Sequence, residues 1–248
     1  MTTYKLNTRY KKMLADTITP VSIYLKIRDR FAKSILLESS DYHSNDNSYS
    51  YICCNPVARF EVGDGQIEIE YPDRKVETHQ IKDRSEVISR LQKFSASFET
   101  DKNDFAFSNN GLFGYMTYDS VRYFEDIEIK NYDSEERKIP EILYQVYQYI
   151  IVINHFKNEL YIFEHNYEKG DSNLDQIESL INNKNFASYK FFPGADETSN
   201  FDDKGFLNIL GQGIVHCHRG DVFQIVLSRK FSQAFTGDEF NVYRALRS

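Results

Sequence analysis

The chain has no tryptophan and only three cysteines in 248 residues. Two of those cysteines, Cys53 and Cys54, are neighbours, and neighbours on a strand point to opposite faces. That is a poor disulfide framework and fits a reducing, cytoplasmic setting. Long apolar runs are missing, so no stretch of sequence reaches the length of a membrane span. The N-terminal MTTYKLNTRYKKML has neither the apolar core nor the small-residue cleavage site of a secretion signal. Excess basic charge is also absent, because 30 Lys and Arg face 37 Asp and Glu for a net charge of -7. General nucleic-acid binding, which needs a basic surface, is thereby excluded. Arg9, Lys11 and Lys12 form the one short basic group, and it reads as a solvated strand end.

Catalytic signatures are missing as well. No P-loop, HExxH, GxSxG or CxxC occurs, and no nucleophile is paired with a base. Gly211-x-Gly213 lies within a helical stripe and lacks the third glycine of a dinucleotide fingerprint. His216-Cys217-His218 has the wrong spacing for a helical metal pair, which needs i, i+4, and histidines at the negative end of a helix dipole explain it better. The sequence therefore names no catalytic residue and no metal ligand.

What is present is a soluble, globular composition, 41% hydrophobic and 27% charged, with 18 Tyr and 19 Phe to build a core. The length allows one large domain or two small ones. Residues 3–13 fit either a strand or a frayed helix. Thr19-Pro20 is an N-cap followed by proline at the first helical position. SILLE (34–38) and 48–55 read as strands, and Asp64-Gly65 as a hairpin turn between 58–62 and 66–71. Ser85–Phe98 carries a helical stripe, and Gly111–Thr117 is a glycine-bearing strand. Ile142–Ile153 and Leu160–Phe163 pair around a turn. The first of these is apolar on both faces, so it belongs at the centre of a sheet. Leu174–Ile181 is a short helix and 188–200 a loop. A second helical stripe runs from Phe206 to Cys217, in which Gly211 and Gly213 either weaken the helix or admit a close neighbour. Irregular alternation of strand groups and helices predicts an α+β fold with a mainly antiparallel sheet flanked by helices.

Two places suggest ligand chemistry. GDVFQIVLSRKF (220–231) reads as a turn and a strand, with polar Gln224 and Ser228 on the face of Val222 and Val226. A strand shaped like the lip of a site, followed by one short helix without a glycine cap, reads as a chain cut before its site is complete. Glu38-Ser39 places an acid and a hydroxyl where an apolar strand meets a polar loop. Such a pair can grip an amino group; it equally suits a solvated strand end or a serine capping the next turn.

Four segments in order, LLESSD (36–41), SYSYICCNP (48–56), GLFGYMTYDSVRYFE (111–125) and GDVFQIVLSRKF (220–231), resemble the N-terminal half of anthranilate synthase component I, a chorismate-utilising enzyme. The resemblance runs from about Tyr4 to the last residue. It implies an α+β fold incomplete at the C-terminus, with a tryptophan-binding regulatory domain over 1–200 and the start of a chorismate-binding catalytic domain over 201–248. The intact enzyme turns chorismate and ammonia into anthranilate and pyruvate in tryptophan biosynthesis. It uses Mg2+ and takes its ammonia from a glutamine amidotransferase subunit, component II. The family's catalytic and metal residues lie in the C-terminal half, so this part alone is expected to be inactive and without Mg2+; from charge and hydropathy, no nucleic-acid or membrane partner is expected. The LLES motif implies a feedback site for L-tryptophan at Leu37, Glu38 and Ser39, helped by Tyr49 and Ser50. Two departures stand out: the Arg or Lys common in the family near Ser48 or Tyr49 is missing, and Asn110 replaces a glycine. The absence of tryptophan suits an enzyme needed when tryptophan runs out. Two alternatives remain at this level. One is the aminodeoxychorismate synthase relative, which usually has Asn where this chain has Val226 or Leu227. The other is a non-catalytic amino-acid-binding module.

Overall fold

The structure, a computed structural model, describes residues 2–38, 48–101, 103–127, 129, 139–168 and 170–247. It forms two compact units, Met1–Ala187 and Ser188–Ser248. The first unit contains β1 (Tyr4–Leu14), α1 (Pro20–Ile27), β2 (Ile35–Glu38), β3 (Tyr49–Gly63), β4 (Gln66–Glu70), β5 (Val76–Gln80) and α2 (Ser85–Ala96). It continues with β6 (Phe98–Thr100), β7 (Phe113–Met116), a 3-10 turn at Tyr118–Tyr123, β8 (Ile142–Asn154), β9 (Glu159–Asn166) and α3 (Leu174–Asn182). Among the described residues its strands make one nine-stranded sheet in the order β5-β4-β3-β8-β9-β1-β6, with β2 also on β3 and β7 also on β8. Every pairing is antiparallel except β1 with β6. The fold is thus α+β and mainly antiparallel.

Local chemistry sets the elements. Thr19 opens α1 with a reciprocal cap, in which its hydroxyl accepts from Ser22 N at 3.1 Å and Ser22 Oγ accepts from Thr19 N at 3.3 Å. Asp64 (φ 50°) and Gly65 (φ 71°) make the left-handed two-residue turn that the twist of β3 and β4 requires. Residues 3–13, ambiguous by pattern, are a strand because β9 supplies a full ladder from Asn7 to Leu14. The basic group on it is tied down: Lys11 pairs with Asp175 and Glu178, and Lys12 with Glu159.

The core follows from β8. As its sequence predicts, it is central, with Ile142, Tyr147 and Ile150–Ile153 all buried. On one face Ile52, Cys54, Ile151 and Ile162 meet Ile23 and Ile27 of α1 and Ile177 and Ile181 of α3. On the other, Cys53, Tyr147, Ile150 and Phe163 pack together under Phe105 and Phe107, while Phe60 and Ile67 receive Phe94 of α2 further along the sheet. Cys53 and Cys54 lie on opposite faces, and burial pushes the Cys54 thiol up to about 12.

The second unit contains β10 (Phe191–Ser199), α4 (Asp203–Arg219), β11 (Phe231–Gly237) and α5 (Phe240–Arg247). Here two expectations need correction. Residues 188–200, read as a loop, contain β10, which pairs with β11. The strand expected over Val222–Phe231 is not one: residues 222–230 make no ladder with the described residues, and pairing begins at Phe231. Period-2 alternation reports an extended backbone, but a strand also needs a partner edge, which alternation cannot supply. The extended segment packs on α4 instead. A Cβ at Gly213 would meet Leu227 at 3.1 Å and Ile225 at 3.6 Å, so this glycine admits a close neighbour. Gly220 (φ 76°) closes α4 in the left-handed conformation that glycine adopts without penalty.

Candidate functional site

The end of β2 gathers an unusual set of polar groups. β2 pairs with β3 so that Leu36 opposes Ile52, Leu37 opposes Tyr51 and Glu38 opposes Ser50. Directly opposed residues share a face. Glu38 and Ser50 therefore lie on the face covered by α1 and α3, together with Ile52 and Cys54. Ser50 is fully buried, and its Oγ lies 2.7 Å from His155 Nε2. His155 continues the ladder past β8, donating its backbone N–H to Ser48 O at 3.1 Å. Ser48 is itself buried, and its Oγ has no hydrogen-bond partner among the described residues. Glu38, Ser48, Ser50 and His155 thus form a polar corner on an otherwise apolar face.

The other proposed residues fall elsewhere. Leu37 and Tyr49 belong to the opposite face, where Tyr49 packs on Phe107 with ring centroids 5.2 Å apart and Leu37 is exposed. Ser39 lies outside the described residues. The structure brings Glu38 and Ser50 side by side and puts Leu37 and Tyr49 across the sheet from them. A ligand touching both sets must sit at the end of the β2–β3 pair, around the strand terminus, rather than over one face. Ser48 and His155 were not singled out from sequence. His155 is 105 residues from Ser50, and only the β3–β8 register brings them together.

Two of the motifs that carry the resemblance have structural duties. In GLFGY, Gly114 lies against β8 so closely that a Cβ would stand 1.8 Å from Leu143 O. In VRYFE, Arg122 pairs with Glu141, and Tyr123 OH donates to Glu141 Oε2 at 2.5 Å, which fastens the 3-10 turn to the start of β8. Burial, and then the carboxylate, raise the Tyr123 pKa above its ordinary value.

His216 Nδ1 lies 2.8 Å from Asp221 Oδ2, and Cys217 is exposed. Among the described residues no group of three or more His, Cys, Asp or Glu is placed to hold a metal ion. No helix among the described residues is long and apolar enough to cross a membrane.

Residues 34–248 match the profile of a family described as chorismate binding enzyme. The chain belongs to that family. Anthranilate synthase component 1 of Acinetobacter calcoaceticus is 26% identical over 246 residues, covering 96% of this chain and 49% of the relative. The component 1 proteins of Lactococcus lactis and Aquifex aeolicus are 26% and 28% identical, covering 96% and 98% of this chain and 52% and 51% of their own lengths. The chain spans about half the length of these curated relatives. The solved structure of anthranilate synthase component I from Streptococcus pneumoniae superposes with a TM-score of 0.60 at 20% identity, over 96% of this chain and 52% of that one. At that identity the likeness speaks for the fold alone.

Proposed function

We propose that this chain is the amino-acid-sensing part of an anthranilate synthase component I and that it holds L-tryptophan at the end of β2. The observation that carries this reading is the polar corner of Glu38, Ser48, Ser50 and His155 beside the segment that begins at Ser39. An α-amino acid needs an anionic partner for its ammonium group, donors for its carboxylate and an apolar surface for its side chain. Glu38 supplies the first with the Ser39 hydroxyl as a further acceptor, the Ser48 and Ser50 hydroxyls can supply the second, and the Tyr49–Phe107 side offers the third. The family match supports the rest of the proposal for the whole protein. It converts chorismate, with ammonia delivered by a glutamine amidotransferase subunit, to anthranilate and pyruvate, with Mg2+ supplied outside the part seen here.

The test is tryptophan inhibition of the full-length protein. A charge-assisted hydrogen bond to a bound ligand is worth about 1.5–3 kcal/mol, or roughly one to two powers of ten in affinity. Glu38→Ala and Ser39→Ala should each weaken inhibition by that factor and leave turnover without tryptophan intact. Unchanged inhibition in both variants removes these residues from the site. Lost turnover would make the segment a support of the fold instead.

A further inference from the structure

A separate cavity of about 170 Å³ lies in the first unit beneath the segment from Asn110 to Leu112. Leu6, Tyr147, Ile150 and His165 make a buried floor, while Ser95 and Gly111 are exposed at its mouth. An empty apolar cavity of about 150 Å³ is large enough to take up benzene. This one differs in having a polar edge. Asn110 Nδ2 donates to Thr100 Oγ1 at 2.9 Å, which leaves Asn110 Oδ1 as an acceptor and the Thr100 hydroxyl proton to give. The adjoining Asn109 is buried with its Nδ2 unpartnered among the described residues, which do not satisfy all the polar groups of this segment.

No ionic side chain among the described residues lines the cavity, and its two titratable rings are neutral, with burial raising the Tyr147 phenol above its ordinary value. His165 Nε2 lies 2.8 Å from Asn109 O, which can only accept, so Nε2 carries the proton. Nδ1, 3.0 Å from Thr8 Oγ1, then accepts from that hydroxyl. Burial pushes the His165 pKa down, which keeps it in this form. A charged guest would lose its water here and meet no counter-charge among the described residues. Amino-acid zwitterions and polycarboxylates are therefore poor guests.

We propose that this cavity is a binding site for a small uncharged aromatic molecule, one ring or two fused rings, carrying an N–H or O–H that donates to Asn110 Oδ1. It is independent of the amino-acid site proposed at the end of β2. The experiment is a calorimetric and ligand-observed NMR titration of the 248-residue protein with indole, phenol, benzene and benzoate. Saturable binding of indole and phenol, with benzoate at least tenfold weaker, is the expected result. Ile150→Phe, which fills the floor, should weaken indole at least tenfold. Asn110→Leu, a half-buried rim change that leaves the core untouched, should weaken phenol several-fold and leave benzene unchanged. Absence of saturable binding, equal binding of benzoate, or equal losses for phenol and benzene in Asn110→Leu would each overturn the proposal. A soaked crystal that shows only ordered water in the cavity would do the same.

Discussion

Replacing Glu164 with Gln should loosen α3 from the sheet. Glu164 is a fully buried carboxylate on β9. Its Oε2 accepts from Ser172 Oγ at 2.7 Å, and its Oε1 from Asn173 N at 2.9 Å and Tyr149 OH at 3.4 Å. Asn173, the residue before α3, makes no side-chain cap of its own. The carboxylate from the neighbouring strand therefore meets the positive end of this helix. Glutamine keeps one acceptor oxygen and turns the other into a donor. Ser172 can rotate its hydroxyl to accept from the new amide, and Asn173 N–H and Tyr149 O–H keep the oxygen they already share, now without its charge. Each of the two short bonds loses its charge assistance, about 1 kcal/mol apiece, so the sum is about 2 kcal/mol. For a domain of this size that lowers Tm by roughly 4–8 °C. Calorimetry gives the shift, and hydrogen exchange should show faster exchange at the α3 amides than elsewhere in the first unit. A Tm within about 1 °C of the parent, well under the shift just derived, or uniform loss of protection, would refute this account of how α3 is held.

Two further outcomes follow from the same unit. Burial holds the His165 pKa below its ordinary value, against smaller opposing effects from the Asn109 carbonyl, Asp101 and Glu164. The unfolded chain then takes up the proton first, so stability is full above the ordinary histidine range and falls as pH drops through it. Tm measured from about pH 7.5 to about pH 5.5 should fall less in His165→Gln than in the parent, and equal slopes would reject this. Gly114→Ala should cost about 1–3 kcal/mol by forcing β7 off β8; an unchanged midpoint in urea would show that the close approach is not real.

The elements legible from sequence were those whose signal is local. The Thr19 cap, the Asp64-Gly65 turn and the double-sided apolar run of β8 each need only their own residues to be recognised. The elements that were misread depend on a partner far along the chain. Residues 188–200 look like a loop because Pro193 and Gly194 interrupt the pattern, yet β11 gives them a ladder across a bulge between Pro193 and Glu197. Residues 222–231 have the pattern and lack the ladder. The site behaves in the same way. Glu38 was visible as an acid ending an apolar strand, whereas the pairing that sets Ser50 and His155 beside it is a matter of register.

That register also bears on Ser48. A buried hydroxyl without a partner costs about 1–3 kcal/mol relative to one that is bonded, and an alanine of nearly the same shape avoids most of it. If the hydroxyl serves a ligand, removing it should have opposite effects in the free and bound states. Ser48→Ala should raise the stability of the free protein by about 1 kcal/mol and weaken tryptophan binding by roughly the factor of a lost neutral hydrogen bond, about threefold to tenfold. A purely structural serine moves only the first quantity, and one that shapes the β3–β8 ladder lowers stability instead of raising it. Urea melts of the 248-residue chain paired with tryptophan inhibition of the full-length protein separate the three cases. A stabilised Ser48→Ala protein with unaltered inhibition would place the amino acid on the Tyr49 side of the sheet, away from the polar corner.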